Sequence, residues 1–342
     1  MNSVANSKGN AFAKWFQRQD SAPVIIFVAM IVIVAILQNN FFEPSSLKNS
    51  INSFAPLILM AMGQAIVLIS GGLDLSCGTS MALMLCVLAR TMNAKDPTSG
   101  IWALVITAGV MLGIGLLNGF AVGYLKLPPI IATFATSYIW YGIALFVMPT
   151  PGGQAVNWMR AFFDFKAVTD MPDFFKSFGS VIPTSALLII AACLVWYFVS
   201  RTKTGRYMYA VGSNRVTAYQ SGINTAKIQT TAYILNSFFL FLCALYFVAQ
   251  NQAGSARIGD PLTLQAIAAA VIGGIALNGG KGNIYFAILG AVILSLVNKI
   301  IFFANLPDAY QTLVSGVIII IAIASSAIYA TINEKSVLKG GN

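Results

Sequence analysis

The sequence predicts an all-α fold: a polytopic helical membrane protein of about ten transmembrane segments, with broken or half helices and an internal repeat. Three observations predict it. Of the 342 residues, 58% are hydrophobic and only 9% are Asp, Glu, Lys or Arg. A soluble domain carries about 25% charged residues and needs them to cover its surface. The apolar residues also gather into segments near the ~20 residues a helix needs to cross a bilayer. Two of these segments are short and adjoin glycine-rich stretches, where irregular backbone buried in protein completes the crossing.

In chain order, residues 1–20 are polar, carry Lys8, Lys14 and Arg18, and form a cytoplasmic N-terminal segment. The apolar run 23–37 follows. Gln38-Asn39-Asn40-Phe41-Phe42 behind it offers no small-residue cleavage site, so the run reads as a retained first helix. Further apolar segments are 53–70, 79–90, 101–124, 130–148 and 181–200, then 228–248, 262–277, 284–303 and 310–332. The short ones are 79–90 and 262–277. The transmembrane domain therefore covers 21–332, and 333–342 is a cytoplasmic tail. Two connections are long. Residues 149–180 form an extracytoplasmic loop with Gly152, Gly153, Trp158, Phe162 and Phe163, either a docking surface or a connector. Residues 201–227 form a cytoplasmic loop with five basic residues and no acidic one.

Charge tests this topology. With the N-terminus in the cytoplasm, the inside segments hold twelve Lys and Arg against Asp20, Asp74 and Glu334, a net +9. The outside segments balance at seven of each sign, and Lys299, inside a span, supplies the remaining unit of the overall +10. The positive-inside rule explains the whole excess, and nucleic acid is not needed to account for it. Both termini are expected on the cytoplasmic side.

Composition also removes chemistry. Histidine is absent, which excludes His-dependent triads and imidazole metal sites. Cys77, Cys86, Cys193 and Cys243 lie in apolar segments without metal-ligand spacing and read as small buried side chains. No phosphate-binding glycine loop followed by Lys-Ser or Lys-Thr occurs, so the chain is not its own P-loop ATPase. Neither a cofactor nor an enzymatic reaction is expected. Any energy source is then a gradient or a partner.

Asp74 is the one acidic residue embedded between apolar segments, and intramembrane carboxylates are functional-site candidates by default. Gly71 and Gly72 before it let the backbone unwind, and Ser76 lies beside it. Two readings stand: the carboxylate meets a polar solute on the translocation path, or it caps the helix that begins near Thr79. Gln64, Asn118, Thr133, Thr136, Asn236 and Gln311 are further polar residues within spans, serving either the path or interhelical hydrogen bonds. Asn278 joins the pathway candidates Gln64, Asp74, Ser76, Asn118 and Thr133. Lys299 reads as a side chain reaching for the outer interface.

An internal echo supports duplication. Gly71-Gly72-Leu73-Asp74-Leu75-Ser76-Cys77-Gly78 aligns with Gly273-Gly274-Ile275-Ala276-Leu277-Asn278-Gly279-Gly280. Asn118 with Leu127-Pro128 likewise matches Asn298 with Leu306-Pro307. Repeats with broken helices at their junction are a transporter signature. In the basic loop, Tyr209, Ala210, Val216, Ala218 and Tyr219 among polar residues predict short amphipathic helices, lying on the membrane or against a partner. The charge alone also fits an anchor against anionic lipid.

These residues resemble a known family. Gly71 to Gly78 resembles the G-G-I-D-L-S-V-G motif of the permease subunits of ribose/galactose-type sugar ABC importers, which are branched-chain-permease-like membrane components. Asn118-Gly119 with Pro129-Ile130-Ile131-Ala132-Thr133, Gly205 through Gly222, and Val271 through Gly282 resemble the family's other signatures, in the family's order, over about residues 40–330. The resemblance implies a permease that moves a small polar solute, a sugar or sugar-like compound, into the cytoplasm. Its partners would be a cytosolic ATP-binding cassette subunit, an extracytoplasmic solute-binding protein and a second permease copy or paralogue.

Carried over by position, residues 205–222 form the ATPase coupling loop, with Gly205, Arg206, Gly212, Asn214, Ser221 and Gly222 as its contact candidates. Gly71, Gly72, Gly78, Gly273, Gly274, Gly279 and Gly280 are the helix-break glycines around the path. The chain departs from the family at Thr263-Leu264-Gln265-Ala266-Ile267-Ala268, where E-L-D-A-I-A is common, so two carboxylates are missing. The departure points away from a standard pentose or hexose, or toward a paralogue in a heterodimer. The competing expectation is a gradient-driven secondary transporter with Asp74 as its coupling site.

Overall fold

The computed structural model describes residues 21–163 and 183–307, with residues 310, 313, 314, 316, 317 and 320 beyond them. Twelve helices make up the described residues, and no strand occurs among them. They are α1 (Ser21–Leu37), α2 (Pro44–Ile69), α3 (Cys77–Thr91), α4 (Pro97–Gly123), α5 (Pro129–Val147), α6 (Asn157–Phe163), α7 (Thr184–Arg201), α8 (Lys203–Ser213), α9 (Arg215–Gln220), α10 (Thr225–Asn251), α11 (Leu262–Ile272) and α12 (Ile284–Phe303). Six of them are long and apolar enough to cross a membrane: α2, α4, α5, α7, α10 and α12. Residues 23–37 of α1, together with α3 and α11, are shorter apolar helices. Nine of the expected segments thus have a helix, and the tenth, 310–332, lies mostly outside the described residues, as do residues 164–180 of the loop 149–180 and both terminal segments.

The helices sort by what surrounds them. In α2, 83% of the most apolar window is buried, and in α10 67%, against 22% in α5 and α7. Helices α2 and α10 are therefore the interior of the bundle. Helices α3, α4, α11 and α12 pack around them, α1 lies on α12, and α5 lies on α3. The outer helices carry Ile130, Ile131, Tyr138 and Phe146 of α5 and Phe198 of α7 fully outward, as a lipid-facing surface requires.

Close approach is written into α4. Gly115, Gly119 and Gly123 recur every four residues, so they share one face. A Cβ on Gly115 would stand 2.7 Å from Ile234 Cα, and one on Gly119 would stand 2.6 Å from Thr230 Cα. The stripe lets α4 and α10 touch backbone to backbone, the packing that lipid-embedded helices use where no hydrophobic drive separates protein from solvent. Thr230 Oγ1 then donates to the Gly119 carbonyl at 3.0 Å.

Helix α2 contains Pro56. Proline has no N–H, so the carbonyl four residues earlier loses its helical donor. That carbonyl is Asn52 O, and it accepts instead from Tyr246 Oη of α10 at 2.7 Å.

The internal echo is visible in how helices end. Helix α2 stops with Gly71 N–H donating to Leu68 O and Gly72 N–H to Val67 O. Helix α11 stops with Gly274 N–H on Val271 O and Ile275 N–H on Ala270 O. This is one C-capping motif used twice, with a glycine in the left-handed region each time, at φ 79° for Gly71 and 86° for Gly274. The geometric match is offset by one residue from the sequence alignment, which pairs Gly71 with Gly273. Each Leu-Pro pair also follows a left-handed residue, Lys126 at φ 55° and Asn305 at φ 56°. Two helices, α3 and α4, separate the first break from its Leu-Pro pair, whereas only α12 separates the second.

Candidate functional site: a buried carboxylate hub and a glycine junction

The chain unwinds from Ser70 to Ser76 between α2 and α3, because Gly71 turns the backbone left-handed and so ends the helix. Asp74 falls in this break and is 1% exposed. An ionised carboxylate is costly away from water unless its oxygens are hydrogen-bonded, and here both are. Its Oδ1 accepts from Ser76 Oγ at 2.6 Å and from Ser76 N–H at 2.8 Å, and its Oδ2 accepts from Asn236 Nδ2 of α10 at 2.7 Å. Asn118 Nδ2 of α4 donates to Ser76 Oγ at 2.8 Å. Gln64 reads the Asp74 backbone in both directions: with its carboxamide oriented to suit, the nitrogen donates to the Asp74 carbonyl at 3.2 Å and the oxygen accepts the Asp74 N–H at 3.1 Å.

The pathway candidates therefore divide. Gln64, Asp74, Ser76 and Asn118 meet in one hub that ties α2, α3, α4 and α10 together. Thr133 of α5 borders it, accepting from Leu75 N–H at 3.0 Å and donating to Pro129 O at 2.8 Å. Asn278 is exposed and takes no part in the hub's hydrogen bonds. At the start of α3, Asp74 takes the N–H of Ser76, the residue before the helix, and Ser76 itself makes no side-chain cap bond.

Sequence reasoning left Asn236 among the general polar residues. Its position in an apolar segment was a signal, but nothing in the spacing paired it with a residue 162 positions away. Gly63 is what admits it, since a Cβ there would collide with Asn236 Oδ1. Asn236 Oδ1 and Asn118 Oδ1 have no partner among the described residues.

Three residues before Asp74 the same break meets the loop between α7 and α10. Helix α8 begins at the cap Thr202, whose hydroxyl accepts from Gly205 N–H. It buries Gly205, Met208 and Val211 and leaves Arg206 and Tyr207 exposed. Its last turn brings Gly212 onto the ends of both breaks. A Cβ on Gly212 would overlap the Ile69 carbonyl oxygen and stand 2.6 Å from Gly280 N. Gly280 N–H donates to that same Ile69 carbonyl at 2.9 Å. Gly279, at φ 83°, would with a Cβ come within 2.8 Å of both Gly71 Cα and Gly212 O. Tyr209 Oη adds a bond to Gly282 O at 3.2 Å, and burial holds its phenol above the ordinary value, so it acts as a neutral donor.

The remaining candidates have local parts. Asn214 caps α9 by accepting from Thr217 N–H at 3.0 Å. Ser221 and Gly222 end α9, and Arg206 is exposed near Arg201 O. Gly72 packs under the Tyr233 ring, Gly78 lies in the first turn of α3 against Gly259, and Gly273 packs against the backbone of Phe286. Arg215, absent from the expected contact set, donates Nη2 to the Gly123 carbonyl at 3.0 Å and joins the loop to the end of α4. Among the described residues no group of His, Cys, Asp or Glu is placed to hold a metal ion.

These features lie within a known permease pattern. The model of the family described as branched-chain amino acid transport system / permease component matches residues 46–323, which takes in the hub, the junction and α8–α9. The chain is 31% identical over 317 residues to the ribose import permease protein RbsC of Escherichia coli (strain K12), covering 90% of this chain and 93% of that protein. It is 28% identical over 307 residues to RbsC of Bacillus subtilis (strain 168), covering 89% and 92%. It is also 28% identical over 304 residues to the autoinducer 2 import system permease protein LsrC of Yersinia enterocolitica, covering 88% and 81%. No solved structure matches the chain. With most of its length matched and its polar hub set inside a bundle of apolar helices, the chain belongs to the family of branched-chain amino acid transport system permease components.

Proposed function

We propose that the chain is the membrane-spanning subunit of an ATP-driven ABC importer, carrying a sugar or sugar-like solute into the cytoplasm across a bacterial inner membrane. Both termini and α8–α9 would face the cytoplasm. There the loop would receive a cytosolic ATP-binding cassette subunit, while a solute-binding protein would deliver at the opposite face and a second permease would complete the path. The observation that carries this reading is Gly212, lodged against Ile69 and Gly280 at once. A push on α8 reaches the end of α2 and the second break together, and Asp74 lies five residues beyond Ile69 in the first.

Support for the substrate class comes from the names of the relatives, which import ribose and autoinducer 2. Support for docking comes from the outer face of α8–α9, where Tyr207, Val216 and Tyr219 are exposed among basic residues. A helix laid into a cleft of the ATPase would cover them. Nucleotide then drives transport by binding one state of the complex better than the other.

The test is reconstitution. Solute-stimulated ATP hydrolysis in a co-purified complex is the expected result. Uptake by the chain alone, driven by an ion gradient and abolished by Asp74→Asn, would establish a secondary carrier and defeat the proposal.

A further inference from the structure

At the end of the bundle away from α8–α9, helices α2, α10, α11 and α12 line an open cavity of about 630 Å3, within the ~300–1,000 Å3 range of small-molecule sites. Its wall carries six carboxamides: Asn49, Asn52, Gln250, Asn251, Gln265 and Asn298. Tyr246 and Phe247 add aromatic surface. An apolar bundle has no packing need for six amides around one space. They are also not all consumed by the protein: Asn298 Oδ1 is buried and has no partner among the described residues. A buried acceptor left unpaired destabilises the fold, and an incoming donor relieves that cost.

Charge narrows the occupant. Among the described residues no carboxylate lines the cavity. The cation among the described lining residues, Lys299, is engaged on its own side: Nζ donates to Ser50 Oγ at 2.5 Å and lies 5.0 Å and 5.9 Å from the ring centres of Phe41 and Phe303. Those rings stabilise the ammonium without an anion. A carboxamide presents a donor and an acceptor side by side, the pair that every hydroxyl can satisfy, whereas a carboxylate only accepts and an ammonium only donates.

We infer that this cavity is a binding site for a small neutral polyhydroxylated solute, and that the permease itself selects among solutes there. The inference rests on the import reading above and adds recognition within the membrane subunit. Asn298 would accept from a solute hydroxyl, Gln265 and Gln250 would exchange hydrogen bonds with others, and the apolar ring face of the solute would lie against Phe247.

Saturation-transfer NMR on the full chain in lipid nanodiscs tests it, with D-ribose as the neutral probe and D-ribonate as its anionic counterpart. Transfer to the carbon-bound protons of D-ribose is expected, with none to D-ribonate. It should fall at least fivefold in Asn298→Leu/Gln265→Leu. Gln250→Leu, at an exposed position that core packing does not use, should lower it as well and guards against a folding artefact in the double variant. Equal transfer in all three proteins, no transfer in the wild type, or preference for D-ribonate would overturn the inference. An importer that still couples ATP hydrolysis to sugar uptake while its permease gives no such signal would lose this site and keep the function proposed above.

Discussion

Replacing Gly212 by alanine puts one methyl group where three backbones meet. The new Cβ overlaps the Ile69 carbonyl oxygen and stands 2.6 Å from Gly280 N, against the about 3.5–4.0 Å of an unstrained carbon contact. The methyl wedges against both partners of the 2.9 Å hydrogen bond from Gly280 to Ile69, so α8 retreats by about 1 Å and the bond opens. Overpacking of this kind costs about 1–3 kcal/mol, and a lost buried backbone bond about 1–3 kcal/mol more. Alanine's better helix propensity returns about 1 kcal/mol. The balance centres near 3 kcal/mol against the closed junction, roughly a hundredfold in an equilibrium constant. The assay is the number of ATP molecules hydrolysed per solute imported by the reconstituted complex, with thermal melting of the permease alongside. Coupling should fall at least tenfold. Gly142→Ala is the control: it lies in α5, outside the loop, and a Cβ there would touch nothing within 4 Å. It should leave coupling intact. If Gly212→Ala hydrolyses, transports and melts like the wild type, the junction does not link α8 to the breaks.

Asp74→Asn should destabilise the bundle by about 1–3 kcal/mol, because an amide nitrogen then faces the donors of Ser76 or Asn236. Adding Asn236→Asp restores a donor–acceptor pair, so the double variant should melt above the single one, and a further drop would refute the hub as drawn. Gly119→Ala should lower the melting temperature as it forces α4 from α10, by about 1–3 kcal/mol, while Gly113→Ala, with nothing within 4 Å, should not. Asp96 caps α4, and the Thr98 hydroxyl, then the Thr98 N–H, hold its carboxyl below the usual carboxylate range. The folded value being the lower one, its contribution is complete above the unfolded value near ~3.9 and fades as pH falls through the folded value. Carbon-13 titration of Asp96 should show its midpoint rising in Thr98→Val, and an unmoved midpoint would contradict the assignment.

What the sequence makes legible here is what depends on local composition. Hydropathy marks nearly every helix, and Asp74 stands out because a carboxylate between apolar segments is conspicuous wherever its partners lie. Helix starts are less visible. Helix α2 begins at Pro44 rather than near residue 53, since its first turns, with Ser45, Ser46, Lys48 and Asn49, are helical without being apolar. Contacts between distant segments are hidden altogether. Nothing near Gly212 announces that it must clear Ile69, and the stripe of Gly115, Gly119 and Gly123 looks like ordinary membrane composition until α10 is laid against it. The family pattern supplied the loop 205–222 as a unit, but the particular residue that bears on both breaks emerges only from backbone geometry.

The hydrogen bond from Tyr246 to the carbonyl freed by Pro56 bears on how the bundle opens. A proline in mid-helix is ordinarily a free hinge, about which the half beyond it swings alone. In α2 the slack point is fastened to α10 at 2.7 Å, and the Pro56 carbonyl accepts from Cys243 Sγ as well, at 3.6 Å. A swing of the first half of α2 must carry α10 with it or break both attachments. Such a swing would take the two helices as one body, and since both line the amide-rich cavity, its walls would travel together rather than part along that seam.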